Sequence, residues 1–174
     1  SNTKTVETTV LSGKASIGFV EGKVNASELE LIEVDKDQPM LVVSPKKQWS
    51  FEINSEKNNI KNLPWIVREK GSGTRRVLEE LILRLGMNWN ELNVVLELPS
   101  NEAVREAVIA GAGVTVISEN VVSLSIESGA LRAVNLDIPT RSFCMVTRRQ
   151  KSLTGIEQAI KSLITKGRLA KSIK

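Results

Sequence analysis

Two short runs of small polar residues, each between a predicted strand and a predicted helix, offer the best binding chemistry in this chain. The first run is Gly71-Ser72-Gly73-Thr74, followed by a charge on Arg75, and the second is Ser100-Asn101. Each predicted helix directs its unpaired backbone N–H groups and the positive end of its dipole towards its own run. If the two preceding strands are parallel neighbours, both helix starts lie at the same sheet edge. Such an edge can bind a small anion without histidine, which this chain lacks.

The side chains of these runs have two alternative roles, ligand contact and helix capping. Ser72 and Thr74 carry hydroxyl groups, and Gly73 lets a ligand approach the backbone closely, so all three are candidate ligand-binding residues. Ser100 and Asn101 are the candidates at the second helix start. Serine is also a preferred N-cap, a role that stabilises a helix by about 0.5 to 2 kcal/mol without any ligand. The sequence leaves both roles open.

Catalytic groups and metal ligands are scarce. Without histidine there is no Ser-His-Asp set and no Cys/His cluster for a metal ion. The one cysteine, Cys144, lies between Phe143 and Met145 in an apolar run and is predicted to be a core thiol. The run from Gly71 begins like a dinucleotide fingerprint, but Arg76 stands where the third glycine belongs. We therefore predict a protein that is not an enzyme, with no catalytic residue, no metal and no cofactor.

The charge of the chain is unevenly distributed. The 174 residues are 41% hydrophobic and 25% charged, which is typical of a globular protein, and the formal net charge is +4. From Arg141 onward there are nine basic residues and one acidic residue, so the first 140 residues carry a net charge of −4. Stacking aromatic residues are not interleaved with the basic ones, which disfavours a nucleic-acid surface on this chain.

Membrane association and secretion are not indicated by the sequence. No apolar stretch approaches the roughly 18 to 20 residues that a membrane span needs. A single cysteine cannot form an intrachain disulfide, and this fits a reducing compartment. We predict a cytoplasmic protein with no membrane partner.

Strands alternate with helices along the chain, which favours an α/β fold with mostly parallel sheets and helices on both faces. The polar segment 46–62 reads as a loop, with its strongest turn signal at 54–59. The hydrophobic periodicity and the turn residues predict helices over 3–12, 73–85, 101–110, 118–127 and 153–165, and strands over 15–20, 28–34, 40–43, 65–68, 94–98, 114–117, 131–136 and 142–147.

Two proline-containing segments mark predicted hinges between two lobes. They are Ser44-Pro45 and Ile138-Pro139-Thr140. If the chain leaves one lobe at the first segment and returns at the second, lobe A comprises residues 1–44 plus 141–174 and lobe B comprises residues 45–140. A small ligand would then bind in the cleft between the lobes.

Several motifs together resemble the effector-binding domain of LysR-type transcriptional regulators, over essentially the whole chain. The resemblance is carried by Arg68-Glu69-x-Gly71-Ser72-Gly73-Thr74-Arg75, by Leu98-x-Ser100-Asn101-Glu102-Ala103-Val104-x-Glu106-Ala107-Val108-x-Ala110-Gly111-x-Gly113-Val114, by Gly13-x-Ala15-x-Ile17-Gly18-Phe19-Val20-Glu21-Gly22, and by Gly129-x-Leu131 and Arg141-x-Phe143-x-Met145-Val146.

The resemblance implies a two-lobed fold like that of type 2 periplasmic binding proteins, with a small effector in the cleft. It implies a homodimer of this domain and a tetramer of the full regulator, which contacts promoter DNA only through an N-terminal winged helix-turn-helix outside this chain. It also implies that this chain is N-terminally truncated, so that lobe A lacks its first strand-helix-strand and is incomplete.

The resemblance adds Glu21 to the candidate ligand-binding residues, because family members turn a side chain towards the cleft at this point. A carboxylate there favours a ligand with an ammonium group, such as an amino-acid derivative. In the alternative interpretation Glu21 only caps the hinge, and inorganic oxyanions remain possible ligands.

Three functions are compatible with these observations. The leading one is effector sensing by a bacterial transcription factor, in which a small metabolite or anion bound between the lobes controls DNA binding. The first alternative is a solute-binding protein of a transport system with the same fold. The second alternative is an enzyme on the same scaffold, for which the sequence supplies no evident base.

Overall fold

The computed structural model describes residues 2–21, 24, 27–47, 53, 57–149 and 154–171. The chain divides into two compact units: unit 1 comprises Ser1–Asp37 and Arg141–Lys174, and unit 2 comprises Gln38–Thr140. No helix in the described ranges is long and apolar enough to cross a membrane. A short 3-10 helix, Trp89–Glu91, precedes the fifth strand. The other elements, in chain order, are α1 (Thr3–Leu11), β1 (Ile17–Glu21), β2 (Leu29–Asp37), β3 (Pro39–Val43), α2 (Lys57–Asn62), β4 (Trp65–Arg68), α3 (Gly73–Arg84), β5 (Val94–Leu98), α4 (Asn101–Ile109), β6 (Val114–Ser118), α5 (Glu119–Glu127), β7 (Arg132–Val134), β8 (Arg141–Arg148) and α6 (Gly155–Lys171).

Unit 1 is built on a three-stranded antiparallel sheet in the order β1-β8-β2. Helix α1 begins at Asn2, whose side chain accepts a hydrogen bond from the Thr5 N–H. One face of the sheet packs against α1, and the buried residues of this core are Val10, Val20, Leu29, Cys144 and Val146. Cys144 is therefore a core thiol, as its apolar neighbours predict.

Unit 2 is built on a five-stranded mixed sheet in the order β5-β4-β6-β3-β7. Strand β4 runs parallel to β5 and β6, whereas β3 runs antiparallel to β6 and β7. Alternate strand residues point to opposite faces, and both faces are covered by helices. The first core contains Leu41, Val43, Trp65, Val67, Val114 and Val116 of the sheet with Leu78, Leu81 and Ile82 of α3. The second contains Val42, Ile66 and Ile117 of the sheet with Val104 and Val108 of α4 and Val122 of α5.

The α/β class is confirmed, but the prediction of mostly parallel sheets is wrong. Parallel pairing is confined to the two pairs that β4 forms, with β5 and with β6, and these three strands are connected in the sequence through α3 and α4. Strand β3 joins its sheet without a preceding crossover helix, and β8 lies antiparallel between β1 and β2. Part of the predicted loop at 54–59 is also helical, since α2 begins at Lys57.

The first passage of the chain between the units lies earlier than the proline at position 45 suggests. Residues 38–44 belong to unit 2, whereas the sequence assigned them to lobe A. The reason is that β3 pairs with β6 on one side and with β7 on the other, so the whole strand is part of the sheet of unit 2. Within unit 2, the Gln38 Nε2 donates a hydrogen bond to the carbonyl oxygen of Ile138 at 2.9 Å.

Candidate ligand-binding site

The two helix starts singled out in the sequence lie at one edge of the sheet of unit 2. Strands β4 and β5 are parallel neighbours, and their last residues, Arg68 and Leu98, are directly paired. Helix α3 begins five residues after Arg68, and α4 begins three residues after Leu98. The backbone N–H groups of both first turns are therefore presented at the same sheet edge.

Both serines act as N-caps. The Ser72 Oγ accepts a hydrogen bond from the Thr74 N–H at 3.2 Å, and the Ser100 Oγ accepts one from the Ala103 N–H at 3.1 Å. Ser72 and Thr74 are also buried, each with 4% of its surface exposed. The capping alternative therefore holds for both serines, while their contact with a ligand stays a prediction.

Asn101 connects the two helix starts. Its Oδ1 accepts a hydrogen bond from the Thr74 Oγ1 at 3.3 Å and another from the Arg68 Nη1. Within the described part of the chain, the Asn101 Nδ2 has no hydrogen-bond partner, so two N–H donors remain beside the start of α4. The structure thus brings together Thr74 and Asn101, which come from different helices.

Arg68 is a member of this site that sequence reasoning missed. Its Nε and Nη2 donate to the two carboxylate oxygens of Glu69 at 2.8 and 3.0 Å, and its side chain is 9% exposed. A charged residue at the end of an otherwise apolar strand, directly before a glycine-rich turn, was the available signal. Its partner Asn101 lies 33 residues further along the chain, and no local pattern reveals that contact.

Glu21 lies in unit 1, whereas the other five candidate residues lie in unit 2. Its Oε2 is 2.6 Å from the Nη2 of Arg141, and the Nε of the same arginine donates to Asp37 Oδ2 at 2.7 Å. The side chains of Arg141 and Asp37 are 8% and 5% exposed. This ion pair at the start of β8 agrees with the alternative in which Glu21 caps the hinge, and its role towards a ligand stays a prediction.

The start of α4 lowers the pKa of Glu102. A hydrogen bond from the backbone N–H of Glu102 lowers the pKa of its carboxyl group, and the Ser100 hydroxyl and the charges of Arg105 and Arg68 lower it further. Desolvation acts in the opposite direction. The positive end of the helix therefore stabilises a carboxylate, which is the property that anion binding requires.

We expect Glu102→Gln to remove a small stabilisation that depends on pH. Because the pKa of Glu102 is lower in the folded state, the carboxylate stabilises the fold above its ordinary pKa of 4.5, and this stabilisation is lost as the pH falls through the lowered pKa. Urea unfolding followed by tryptophan fluorescence at pH 7 and at pH 3 measures the difference. Glu127→Gln is the control and should not destabilise the protein, because Glu127 is the last residue of α5 and lies at the negative end of a helix dipole. An equal difference between wild type and Glu102→Gln at both pH values would contradict the prediction.

The chain belongs to the LysR substrate-binding domain family, whose family model matches residues 1–166. This is a family of regulator domains and not of enzymes. The HTH-type transcriptional regulator YeiE of Escherichia coli K12 is 28% identical over 156 residues, which are 88% of this chain and 52% of that protein. The chain therefore spans about half the length of this curated relative.

Solved structures share the fold. The CcmR regulatory domain of Synechocystis PCC6803 in complex with 2-PG has a TM-score of 0.82 and 21% identity, over 94% of this chain and 78% of that chain. The effector-binding domain of QuiR in complex with shikimate has a TM-score of 0.80 and 14% identity, over 94% of this chain and 77% of that chain. The predicted two-lobed fold, like that of type 2 periplasmic binding proteins, is confirmed by the family match and by these neighbours.

Proposed function

We propose that this chain is the effector-sensing domain of a LysR-type transcription factor, and that it binds a small anionic metabolite between two lobes to control DNA binding. Lobe A corresponds to unit 1 and lobe B to unit 2. The observation that carries the proposal is the pair of helix starts joined by Asn101 in a chain of this family. The name of YeiE, a transcriptional regulator, favours this function over transport.

The proposal includes the parts of the regulator outside this chain. DNA is contacted through a winged helix-turn-helix elsewhere in the whole protein, and this domain forms a homodimer within a tetramer. A regulator that works on promoter DNA acts in the cytoplasm. Effector binding shifts the equilibrium between two domain conformations, so it changes DNA binding by the difference in effector affinity between them.

The chemistry of the site favours an anion over an amino acid. Asn101 Nδ2 and the first turns of α3 and α4 are hydrogen-bond donors, and they match carboxylate, sulfate or phosphate oxygens. Glu21 already contacts the Arg141 guanidinium, which reduces the charge that it can offer to an ammonium group. The effector-binding domain of QuiR was solved with shikimate, a carboxylate, and this supports the same ligand class here.

A thermal-shift screen with sulfate, shikimate, aromatic acids and acetylated serine should identify an anion that raises the melting temperature. We then expect Thr74→Ala to weaken the affinity for that anion about tenfold, since it removes one hydroxyl from the site, at a cost in stability of about 1 kcal/mol. Isothermal titration calorimetry measures the affinity.

Thr8→Ala is the matched control, because the Thr8 hydroxyl is exposed and donates only to the Lys4 carbonyl in α1. Its affinity for the anion should equal that of the wild type. An affinity that is unchanged in both Thr74→Ala and Asn101→Ala would show that the ligand binds elsewhere.

A further inference from the structure

Arg75 lies in the first turn of α3, next to Thr74, and its guanidinium forms hydrogen bonds and ion pairs with other residues of unit 2. The Nε donates to Glu79 Oε1 at 3.0 Å, and the Nη1 is 2.6 Å from Glu97 Oε2. The Nη1 also donates to the carbonyl oxygen of Arg68 at 3.3 Å. The Cζ lies 4.4 Å from the centre of the Trp89 ring. The side chain is 12% exposed, so its positive charge is not free to bind a ligand as the sequence predicts.

The partners of Arg75 come from four elements of unit 2. Glu79 belongs to α3, Glu97 is the penultimate residue of β5, and Arg68 is the last residue of β4. Trp89 lies in the short 3-10 helix that leads into β5. One guanidinium therefore fixes the ends of β4 and β5 relative to the first turn of α3.

This position connects Arg75 to the ligand-binding side chains without direct contact. The backbone carbonyl that it holds belongs to Arg68, whose side chain donates to Asn101. The strand end that it holds leads into the Ser100-Asn101 turn. A shift of either strand end changes the separation between the Thr74 hydroxyl and the Asn101 carboxamide, which now form a hydrogen bond.

The residue type is specific for this role. A cation in the first turn of a helix is unfavourable, because it faces the positive end of the dipole, and here two carboxylates offset that cost. The planar guanidinium binds two carboxylates and a carbonyl while it stacks on an indole ring. A lysine ammonium group keeps the charge but cannot make this set of contacts at once.

We propose that Arg75 is a positioning residue of the effector site, which holds Thr74, Arg68 and Asn101 in the arrangement that receives an anion without itself touching the anion. The expected effect on anion affinity rests on the proposed function. The expected effect on the position of the Asn101 side chain does not. Binding sites lose affinity when their side chains are displaced by fractions of an ångström, so the expected effect is on affinity as well as on stability.

The test compares the wild type with Arg75→Lys, Trp89→Leu and the control Arg84→Lys. Arg84 lies in the last turn of the same helix and forms an exposed ion pair with Asp137. Two-dimensional ¹H–¹⁵N NMR spectra without any anion report the side-chain NH₂ signals of Asn101. Titrations with inorganic sulfate and with shikimate then give the affinities.

We expect Arg75→Lys to move the Asn101 NH₂ signals and to weaken the binding of the better probe about tenfold. Trp89→Leu should give a smaller effect of the same kind, because it removes the contact of the ring with the guanidinium but leaves both ion pairs of Arg75, while leucine keeps an apolar side chain against the core. Arg84→Lys should change neither quantity. In the wild type, the Arg75 Nε–H signal should be shifted upfield by the Trp89 ring current.

A lower melting temperature of Arg75→Lys with unchanged Asn101 signals would overturn the inference, since it would make Arg75 a purely structural residue. If neither sulfate nor shikimate binds the wild type, that result contradicts the anionic ligand class of the proposed function and not the role of Arg75. The Asn101 signals of the anion-free protein then still decide the role of Arg75: a shift in Arg75→Lys supports it, and no shift overturns it.

Discussion

Replacing Gly113 with alanine is expected to destabilise unit 2 by about 3 kcal/mol. A Cβ at this position would stand 2.2 Å from the carbonyl oxygen of Pro64 and 3.1 Å from the Ile66 Cγ1. The oxygen cannot move away easily, because it accepts a hydrogen bond from the Val114 N–H at 2.8 Å where β4 and β6 pair. All three tryptophans of the chain fall within residues 38–140, so urea unfolding followed by tryptophan fluorescence measures the stability of this unit.

Gly155→Ala provides the control for this substitution. It adds the same methyl group at the first residue of α6, where a Cβ meets no atom of the described chain within 4 Å. Because Gly155 lies in unit 1, far-ultraviolet circular dichroism follows the unfolding of this variant, and its stability should equal or slightly exceed that of the wild type, since alanine favours a helix. A Gly113→Ala protein within about 0.5 kcal/mol of the wild type would contradict the predicted clash.

Replacing Arg141 with methionine is expected to destabilise unit 1 by about 3 kcal/mol or more. The side chain is largely buried and contacts the carboxylates of both Glu21 and Asp37, so methionine removes the cation that two acidic groups share. Unit 1 contains neither tryptophan nor tyrosine. Its unfolding should therefore appear in far-ultraviolet circular dichroism at lower urea concentration, while the midpoint of tryptophan fluorescence stays unchanged.

Two further variants make this result specific. Arg84→Met removes an arginine from an exposed ion pair with Asp137 and should cost less than about 1 kcal/mol. Adding Asp37→Asn to Arg141→Met should recover part of the lost stability, because one of the two carboxylates is then neutral. Equal stabilities for Arg141→Met and Arg84→Met would show that the buried ion pairs contribute little to unit 1.

The elements that carry the candidate site are predictable because their signals are local. Strand β4, helix α3, strand β5 and helix α4 lie within one residue of their predicted bounds. A serine N-cap followed by an amphipathic pattern predicts each helix, and a short apolar run predicts each strand. Their parallel arrangement follows from the helix between the strands.

Strand direction and side-chain partners are not predictable in the same way, because they depend on residues far apart in the chain. Strand β3 could be identified from its apolar run, but its antiparallel pairing with β6 joins Pro39 to Ser118. The sequence likewise predicts a charge on Arg75 that is available to a ligand, but its Nη1 donates to Glu97, 22 residues further on. Arg68 lies in β4, and its partner Asn101 lies in α4, 33 residues further along the chain.

The candidate ligand residues also differ in whether a local sequence pattern predicts them. Ser72, Gly73, Thr74, Ser100 and Asn101 lie near one another because each follows one of two paired strands, which the sequence pattern reveals. Glu21 is a candidate only through the family resemblance, and it lies in unit 1, beside Arg141. Ligand contact by any of the six stays a prediction until a bound anion is observed.

Unit 1 is assembled from two segments, one before and one after unit 2 in the sequence, and this discontinuity has a consequence for the order of folding. Pairing Asp37 with Arg141 in a chain without other structure closes a loop of about a hundred residues, at an entropic cost of about 4 kcal/mol. Unit 2 is continuous in the sequence and has two hydrophobic cores of its own, and the hydrogen bond from Gln38 to the carbonyl oxygen of Ile138 joins residues near its two ends. We therefore expect unit 2 to fold first, which removes most of the entropic cost of bringing β2 and β8 together. The sheet of unit 1 should then form last and quickly.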